Sequence, residues 1–185
     1  MDGQLLARQL PTDVLDDPSR RLTELFDAHY DRLYRLARRL VSEKDEALDL
    51  VQETFLRAAR APDSVPFGIA GREEAWLVRV LINIQRDEWR KKEVRSRHDR
   101  LVSQNAGNPE SALLASATIW RALDRLAPRR RAVIVMHELE GMSADAVAGL
   151  LGISTITVRW HLSLGRRELT QILRPYLGDS HEYNS

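Results

Sequence analysis

The chain has 185 residues, 43% hydrophobic and 30% charged, a composition ordinary for a globular protein that stays in water. No apolar run approaches the roughly 20 residues that span a bilayer, and residues 1–18 lack the basic start and apolar stretch of a signal peptide. The absence of cysteine excludes disulfides, thiolate metal sites and cysteine nucleophiles. We therefore expect a cytoplasmic protein without membrane insertion.

The formal net charge of +1 conceals an uneven distribution. Several aspartates make residues 1–18 acidic, whereas basic residues concentrate at 86–100, 129–131 and 159–167. Clusters of this kind can meet phosphate groups. On charge alone, solvated helix faces are the better interpretation.

The N-terminal half predicts a tail followed by three helices. Residues 1–20 carry prolines and aspartates without an apolar stripe, which is typical of a flexible tail. From Leu22 onward, apolar residues recur every three or four positions and predict the first helix. Ser42 is the predicted N-cap of the second helix, which should end near Ala61 because Pro62 follows. The loop 62–72 then leads into a third helix from Glu73 to about residue 97.

Residues 97–111 are rich in Asn, Ser and Gly without periodicity and predict a linker. A second helical block should run from Ser111 to Leu177, with breaks at Pro128, Gly141, Gly152 and Pro175. No alternation long enough for a strand occurs. The fold class predicted is all-α, in two small helical domains.

The segment 141–162 carries the pattern of a helix-turn-helix. Ser143 can cap a short helix, Gly152 suits a left-handed turn, and Ser154 can cap the next helix. Val158 and Leu162 should face inward. The N-terminal part of such a second helix enters the major groove. An ordinary helical hairpin with a polar surface is the alternative, but the coincidence of caps, turn and exposed basic residues favours DNA binding.

The off-core positions of this helix are the candidate DNA contacts. They are Thr155, Thr157, Arg159, Trp160, His161 and Ser163. Arg159 can pair with guanine, and Arg166 and Arg167 suit backbone phosphates. Trp160 has two equal interpretations, a contact with DNA or packing at the edge of the domain.

Two parts of the chain resemble a known family. The stretch 122–133 with the following helix-turn-helix resembles the fourth region of bacterial sigma factors. The run 49–55, Asp-Leu-Val-Gln-Glu-Thr-Phe, closely matches the second region, and residues 75–80 with Asn83 and the basic run 90–92 match its next helix. No large insertion separates the two regions, which resembles the small extracytoplasmic-function (ECF) group.

The resemblance implies a domain plan and a set of site residues. The plan is a tail at 1–20, region 2 at 21–96, the linker at 97–111, region 4 at 112–178 and a tail at 179–185. The residues implied for binding core RNA polymerase are Asp49, Leu50, Gln52, Glu53 and Leu56. Those implied for the downstream promoter element are Phe67, Asn83, Arg86, Arg90 and Lys91. Those implied for the upstream element are Ser154, Thr155, Thr157, Arg159, Trp160, His161, Ser163, Arg166 and Arg167.

The implied partners are core polymerase, promoter DNA and an anti-sigma factor. On the polymerase, the expected contacts are the clamp coiled coil of the largest subunit and the flap. At the downstream element, Phe67 and Asn83 would together bind one unstacked base. No cofactor, metal or catalytic residue is expected.

Three alternatives compete with a sigma factor. A stand-alone helix-turn-helix regulator would leave the 49–55 run unexplained. A sigma-like mimic that sequesters an anti-sigma factor would be expected to lose DNA-facing charges such as Arg159 and Arg90. An enzyme is disfavoured, because His137-Glu138 lacks the second histidine of a zinc helix and no phosphate loop occurs.

Overall fold

The computed structural model describes residues 17–69, 71–99 and 112–177, and every regular element in these ranges is helical. The all-α prediction is therefore confirmed for the described part of the chain. The α-helices are α1 (Pro18–Leu40), α2 (Lys44–Arg60), α3 (Arg72–Asp99), α4 (Ala112–Asp124), α5 (Pro128–Ile134), α6 (Ala144–Leu151) and α7 (Thr155–Leu177). A 3₁₀ turn at Pro62–Ser64 follows α2, and a π-helical turn at Val135–Leu139 extends α5. The break predicted at Pro175 is wrong, because α7 continues through this proline to Leu177. Most of the predicted linker and tails lies outside the described residues.

The helix α1 begins earlier than the sequence pattern suggested. Asp17 has extended backbone angles and its side chain accepts a 2.9 Å hydrogen bond from the Ser19 amide. Pro18 follows at the first helical position, where its missing amide proton costs nothing. The expectation of a tail that continues to residue 20 is therefore wrong by about one helical turn.

The cap of α2 also differs from the prediction. Glu43, rather than Ser42, is the N-cap residue, and no side chain caps this end. The hydroxyl of Ser42 instead bonds the carboxylate of Asp124 at the end of α4. Asp45 and Glu46 in the first turn supply negative charge next to the positive end of the helix dipole. Ser42 thus joins the two helical blocks and does not start a helix.

The helix α3 is buried along two of its sides. Leu77, Leu81 and Ile84, which recur every three or four positions, are buried, but Val78 and Ile82 are also almost fully buried. The reason is that α3 contacts α1 and α2 in the first block and α5 and α6 in the second. One continuous hydrophobic cluster therefore includes both blocks.

Ion pairs reinforce the contact between the blocks. The Glu140 side chain is only 5% exposed and accepts hydrogen bonds from Arg32 at 3.1 Å and Arg39 at 2.9 Å. Arg32 also pairs with Glu74 at 2.9 Å, so α1, α3 and the turn before α6 meet at one guanidinium. A buried carboxylate is stable only with such partners, because its desolvation is costly.

The second block closes through a close approach of α5 and α7. A Cβ atom added at Gly165 would lie 2.8 Å from Cγ1 of Ile134 and 3.1 Å from Cγ of Arg130. Arg130 meanwhile donates to Glu168 on α7 at 2.5–2.6 Å. The two helices can pair at this distance only because position 165 has no side chain.

This packing predicts the effect of two glycine substitutions. We expect Gly165→Ala to lower the free energy of unfolding by about 1–3 kcal/mol, because the added methyl group overpacks the α5–α7 contact. Gly149→Ala is the matched control, since Gly149 is at an exposed position of α6 and its Cβ would meet nothing within 4 Å, and we expect stabilisation of up to ~1 kcal/mol. Urea unfolding followed by circular dichroism measures both, and equal effects of the two substitutions would contradict the assigned packing.

Candidate DNA-binding and partner-binding surfaces

The helices α6 and α7 form a helix-turn-helix with an interhelical bend of 108°. Gly152 ends α6 in the left-handed region, with φ 64° and ψ 38°. The hydroxyl of Ser143 accepts the Ala146 amide at 3.2 Å, and that of Ser154 accepts the Thr157 amide at 3.1 Å. Both predicted caps and the predicted turn are confirmed.

The inward face of the motif also matches the prediction. Val147 and Leu151 on α6 are buried, as are Val158 and Leu162 on α7. Because Val158 and Leu162 are fixed in the core, the other faces of the first two turns of α7 point away from it. The orientation of α7 is therefore set by core packing rather than by its surface residues.

The hydroxyl residues at the start of α7 hold the motif together. Ser154 and Thr157 share a 2.8 Å hydrogen bond, and Thr155 donates to the Asp145 carboxylate of α6 at 2.6 Å. These contacts link the two helices of the motif across the turn. In the free protein, the three expected DNA contacts are therefore engaged in positioning α7.

The outer face of α7 combines cationic and apolar groups. Arg159, Ser163 and Arg167 are exposed, while Arg166 is exposed and pairs with Glu138 at 2.6–2.9 Å. Trp160 is 56% exposed, so it is not core. Ile156, one turn earlier and 78% exposed, was missed from the sequence. Its spacing of four from Trp160 was the available signal.

His161 differs from the other candidate contacts because it is half-buried. Its Nδ1 atom is buried and has no hydrogen-bond partner among the described residues, and its ring packs against Trp160 at 4.8 Å. Burial, followed by the positive charges of Arg130 and Arg129, lowers the pKa of His161. The side chain is therefore neutral near pH 7 and does not act as a cation toward phosphate.

The predicted polymerase contacts lie on the exposed side of α2, with one exception. Asp49 and Gln52 are exposed, Leu56 is 47% exposed, and Glu53 is half-buried beside Arg57 at 3.1 Å. Leu50 is only 1% exposed. Its expected place on the docking surface is wrong, because its side chain fills the core beneath that surface.

An apolar slot borders this side of α2, between α1 and α2. The slot has a volume of about 520 Å³ and is lined by Leu22, Thr23, Phe26, Gln52, Phe55, Leu56 and Ala59. The rings of Phe26 and Phe55 lie 4.9 Å apart, and Phe26 is 43% exposed. Apolar area at the centre of a polar surface is typical of a protein interface.

On its other side, α2 shares an acidic groove with α3. The groove is lined by Asp49, Gln52, Glu53, Leu56, Arg57, Ile84, Asp87, Glu88 and Lys91. Burial, followed by the charge of Glu46, raises the pKa of Glu88. Asp87 and Glu88 were missed from the sequence, because nothing in their spacing shows that α3 faces Asp49. The α2 surface, the slot and this groove together form the docking face.

The residues predicted to bind the downstream element lie in two separate parts of the first block. Phe67 lies beside a pocket lined by Arg21, Glu24, Leu25, Ala28, Gly68 and Glu73. The Gly68 amide donates to Glu73 at 2.7 Å, and Arg21 lies 5.2 Å over the Phe67 ring. Asn83 is not part of this pocket, since it lies ten residues after Glu73, or about 15 Å along α3. The structure therefore places Phe67 and Asn83 in separate parts of the first block.

The basic residues of α3 also lie in different surroundings. Arg86 bonds Asp87 at 3.2–3.3 Å, and Arg90 is exposed one turn later. Lys91 lines the acidic groove with Asp49 and Glu53. The structure thus places Lys91 in the acidic groove, apart from exposed Arg90, and its expected contact with DNA stays a prediction.

The described residues hold no cluster of three or more His, Asp or Glu side chains that could bind a metal ion. Within the same ranges, no single helix has the length and apolar character to cross a membrane. Among these residues, only the two helices Ala144–Leu151 and Thr155–Tyr176, counted as one segment across their bend, are long and apolar enough to span a bilayer.

The state of His161 gives a testable pH dependence. We expect its pKa to lie below 6.5, because burial and nearby arginines disfavour the charged form. The unfolded chain then binds the proton more strongly, so the stability that neutral His161 contributes is present above about pH 6.5 and decreases as the pH falls. An NMR titration of the imidazole measures the pKa, and His161→Gln should flatten the fall in stability between about pH 7 and 5.5. Titration at or above 6.5 would contradict the assignment.

Comparisons with known proteins agree on one family. Residues 25–95 match the family model for sigma-70 region 2, and residues 116–169 match that for sigma-70 region 4. The chain is 33% identical over 166 residues to the ECF RNA polymerase sigma factor SigE of Mycolicibacterium smegmatis, covering 85% of this chain and 63% of that protein. It thus spans somewhat less than two thirds of that relative.

Two further proteins cover both halves of the chain. The ECF sigma factor SigW of Bacillus subtilis is 30% identical over 166 residues, which is 82% of this chain and 88% of that protein. The solved sigma factor RpoE, in complex with the anti-sigma factor NepR from Bartonella quintana, aligns with a TM-score of 0.55 and 26% identity, over 84% of this chain and 96% of that one. On these matches the chain belongs to the ECF sigma factors of the sigma-70 family.

Proposed function

We propose that this chain binds core RNA polymerase through the docking face and directs it to promoters through two DNA-reading surfaces. The observation that carries the proposal is the presence, in one chain, of an apolar slot beside an acidic groove on α2 and α3 and of an exposed helix-turn-helix on α6 and α7. A stand-alone regulator would need only the second. The mechanism requires no catalytic group, and it takes place in the cytoplasm with polymerase and DNA.

The docking face suits the clamp coiled coil of the largest polymerase subunit. The slot between α1 and α2 offers Phe26 and Leu56 for apolar contact, and the adjacent groove offers Asp49 and Glu53 for cationic side chains. Apolar contacts of this kind contribute affinity, while charges at the rim guide encounter and register. We extend the proposal to a second contact, between the α4–α7 block and the polymerase flap, as the sigma resemblance implies.

The helix-turn-helix is proposed to bind the upstream promoter element. Arg159 is exposed within the first two turns of α7, where a recognition helix meets base edges. Its guanidinium can donate two hydrogen bonds to one guanine. Arg167 and Arg166, one to two turns later, suit backbone phosphates, although Arg166 must first exchange its bond with Glu138.

The downstream element is proposed to be bound by two separate parts of the first block. The pocket beside Phe67 offers an aromatic surface for one unstacked base. Asn83 lies farther along α3 and can both donate to and accept from a different base edge. Arg86 and Arg90 follow Asn83 on α3 and suit the backbone of the strand beyond that contact. Trapping unpaired bases in this way would favour melting.

Binding at both elements gains from their connection to one enzyme. Each surface is small, and its affinity for DNA alone is expected to be low. Once both are held on polymerase, the second contact forms at a high effective concentration. An anti-sigma factor is a further proposed partner, supported by the complex in which the Bartonella quintana relative was solved.

Charge reversal on α2 tests the docking proposal. We expect Asp49→Arg combined with Glu53→Arg to reduce binding to core polymerase at least tenfold, because two carboxylates that face the partner become cations. The helicity measured by circular dichroism should not change. The matched control is Asp27→Arg with Asp31→Arg, which reverses two exposed carboxylates at the same spacing of four on α1. Unchanged affinity of the α2 variant, measured by pull-down of core polymerase, would refute the docking face.

Removal of one guanidinium tests the upstream contact. We expect Arg159→Ala to weaken holoenzyme binding to the upstream element by roughly 10- to 100-fold, the effect of losing one bidentate base contact. Binding to core polymerase should stay intact. Arg174→Ala, which removes an exposed arginine at the far end of α7, is the control and should change promoter affinity much less. Equal losses of promoter and core binding in Arg159→Ala would exclude a base-contact role.

A further inference from the structure

The recognition helix carries two exposed apolar side chains one turn apart. Ile156 is 78% exposed and Trp160 is 56% exposed, and their spacing of four places them on the same face of α7. A single exposed apolar residue needs no explanation. An isoleucine and a tryptophan together, on the first turns of a helix that is held by caps at its start, form a surface for a partner.

The helix that carries the pair is fixed in place before any partner arrives. Val158, between the two residues, is fully buried, so the helix cannot rotate about its axis without leaving the core. The Ser154 cap fixes the first turn. The Trp160 ring meets His161 edge-on, with centroids 4.8 Å apart and an interplanar angle of 63°. Side chains held in this way lose little entropy on binding.

The charge around the pair favours DNA as the occupant. Arg159 and Ser163 lie beside it, Arg166 and Arg167 follow, and the first turn of α7 contains no acidic residue. In the major groove, the apolar group that base edges present is the 5-methyl group of thymine. A cationic rim for phosphates around an apolar centre therefore matches a thymine-containing duplex.

We propose that Ile156 and Trp160 select thymine in the upstream promoter element by packing against 5-methyl groups. The proposal deepens the proposed function and rests on it, because α7 must lie in the major groove. Four residues of helix span about 6 Å, and successive bases of one strand rise by about 3.4 Å. The two side chains thus reach bases about two steps apart, on either side of the position available to Arg159.

Replacement of thymine by uracil tests this proposal directly, because the two bases differ only in the methyl group. Holoenzyme, assembled from the full chain and core polymerase, is first used to select preferred upstream elements from a randomised duplex. Each preferred thymine is then replaced by deoxyuridine, and the dissociation constant is measured at one fixed salt concentration. We expect about a fourfold loss of affinity for each contacted methyl group.

The variants complete a double-mutant cycle with the DNA. Ile156→Ala and Trp160→Ala should bind thymine-containing elements more weakly and should no longer distinguish thymine from uracil at the contacted position. Tyr176→Ala is the control, because Tyr176 is also 56% exposed but lies at the far end of α7. It should keep the full discrimination.

The outcomes separate this proposal from the function on which it rests. If the holoenzyme selects no upstream element at all, the proposed function fails. Methyl recognition is overturned, while promoter binding stands, in three cases. The holoenzyme selects elements without thymine, it binds uracil-containing and thymine-containing elements with equal affinity, or both alanine variants still distinguish the two bases. A patch that serves a protein partner instead would give unchanged DNA binding in every arm, which also overturns the proposal.

Discussion

The burial of α3 between two helical blocks is the constraint on which the rest of the structure depends. Its one side packs against α1 and α2, and its other side packs against α5 and α6. The same helix anchors the Phe67 loop through the bond between Gly68 and Glu73, and it supplies Asp87 and Glu88 to the acidic groove. The α2–α3 groove and the Phe67 pocket are therefore arranged around one buried helix, and the helix-turn-helix packs against it through α6.

The surfaces of the chain differ in charge in a way that suits different partners. The groove between α2 and α3 gathers carboxylates, whereas the outer face of α7 gathers arginines around an apolar pair. These opposite local charges explain how a net charge of only +1 is compatible with a DNA-binding protein. Local potential, rather than total charge, directs each surface to its partner.

Within the helix-turn-helix, positioning and recognition fall to different residues. Ser154, Thr155 and Thr157 are engaged in hydrogen bonds that set the direction of α7, and half-buried His161 is neutral near pH 7. Arg159, Ile156 and Trp160 are exposed on the outer face of α7, and they are the groups that we propose to contact bases. A rigid support beneath a few exposed side chains is what sequence-specific contact requires, because small displacements of a base-reading group lose its hydrogen bonds.

The sequence by itself determined most of the helices and the helix-turn-helix corner, because these depend on local signals. Gly152, Ser143 and Ser154 act within one turn of their own positions, and the spacing of Val158 and Leu162 shows their common face. Only the tertiary structure decided the burial of Leu50, the second buried side of α3, the move of Ser42 from cap to inter-block contact, and the separation of Asn83 from Phe67. Each of these depends on which helix lies opposite. Local spacing carries no information about that neighbour, because a helix face is the same pattern whether core, partner or water covers it.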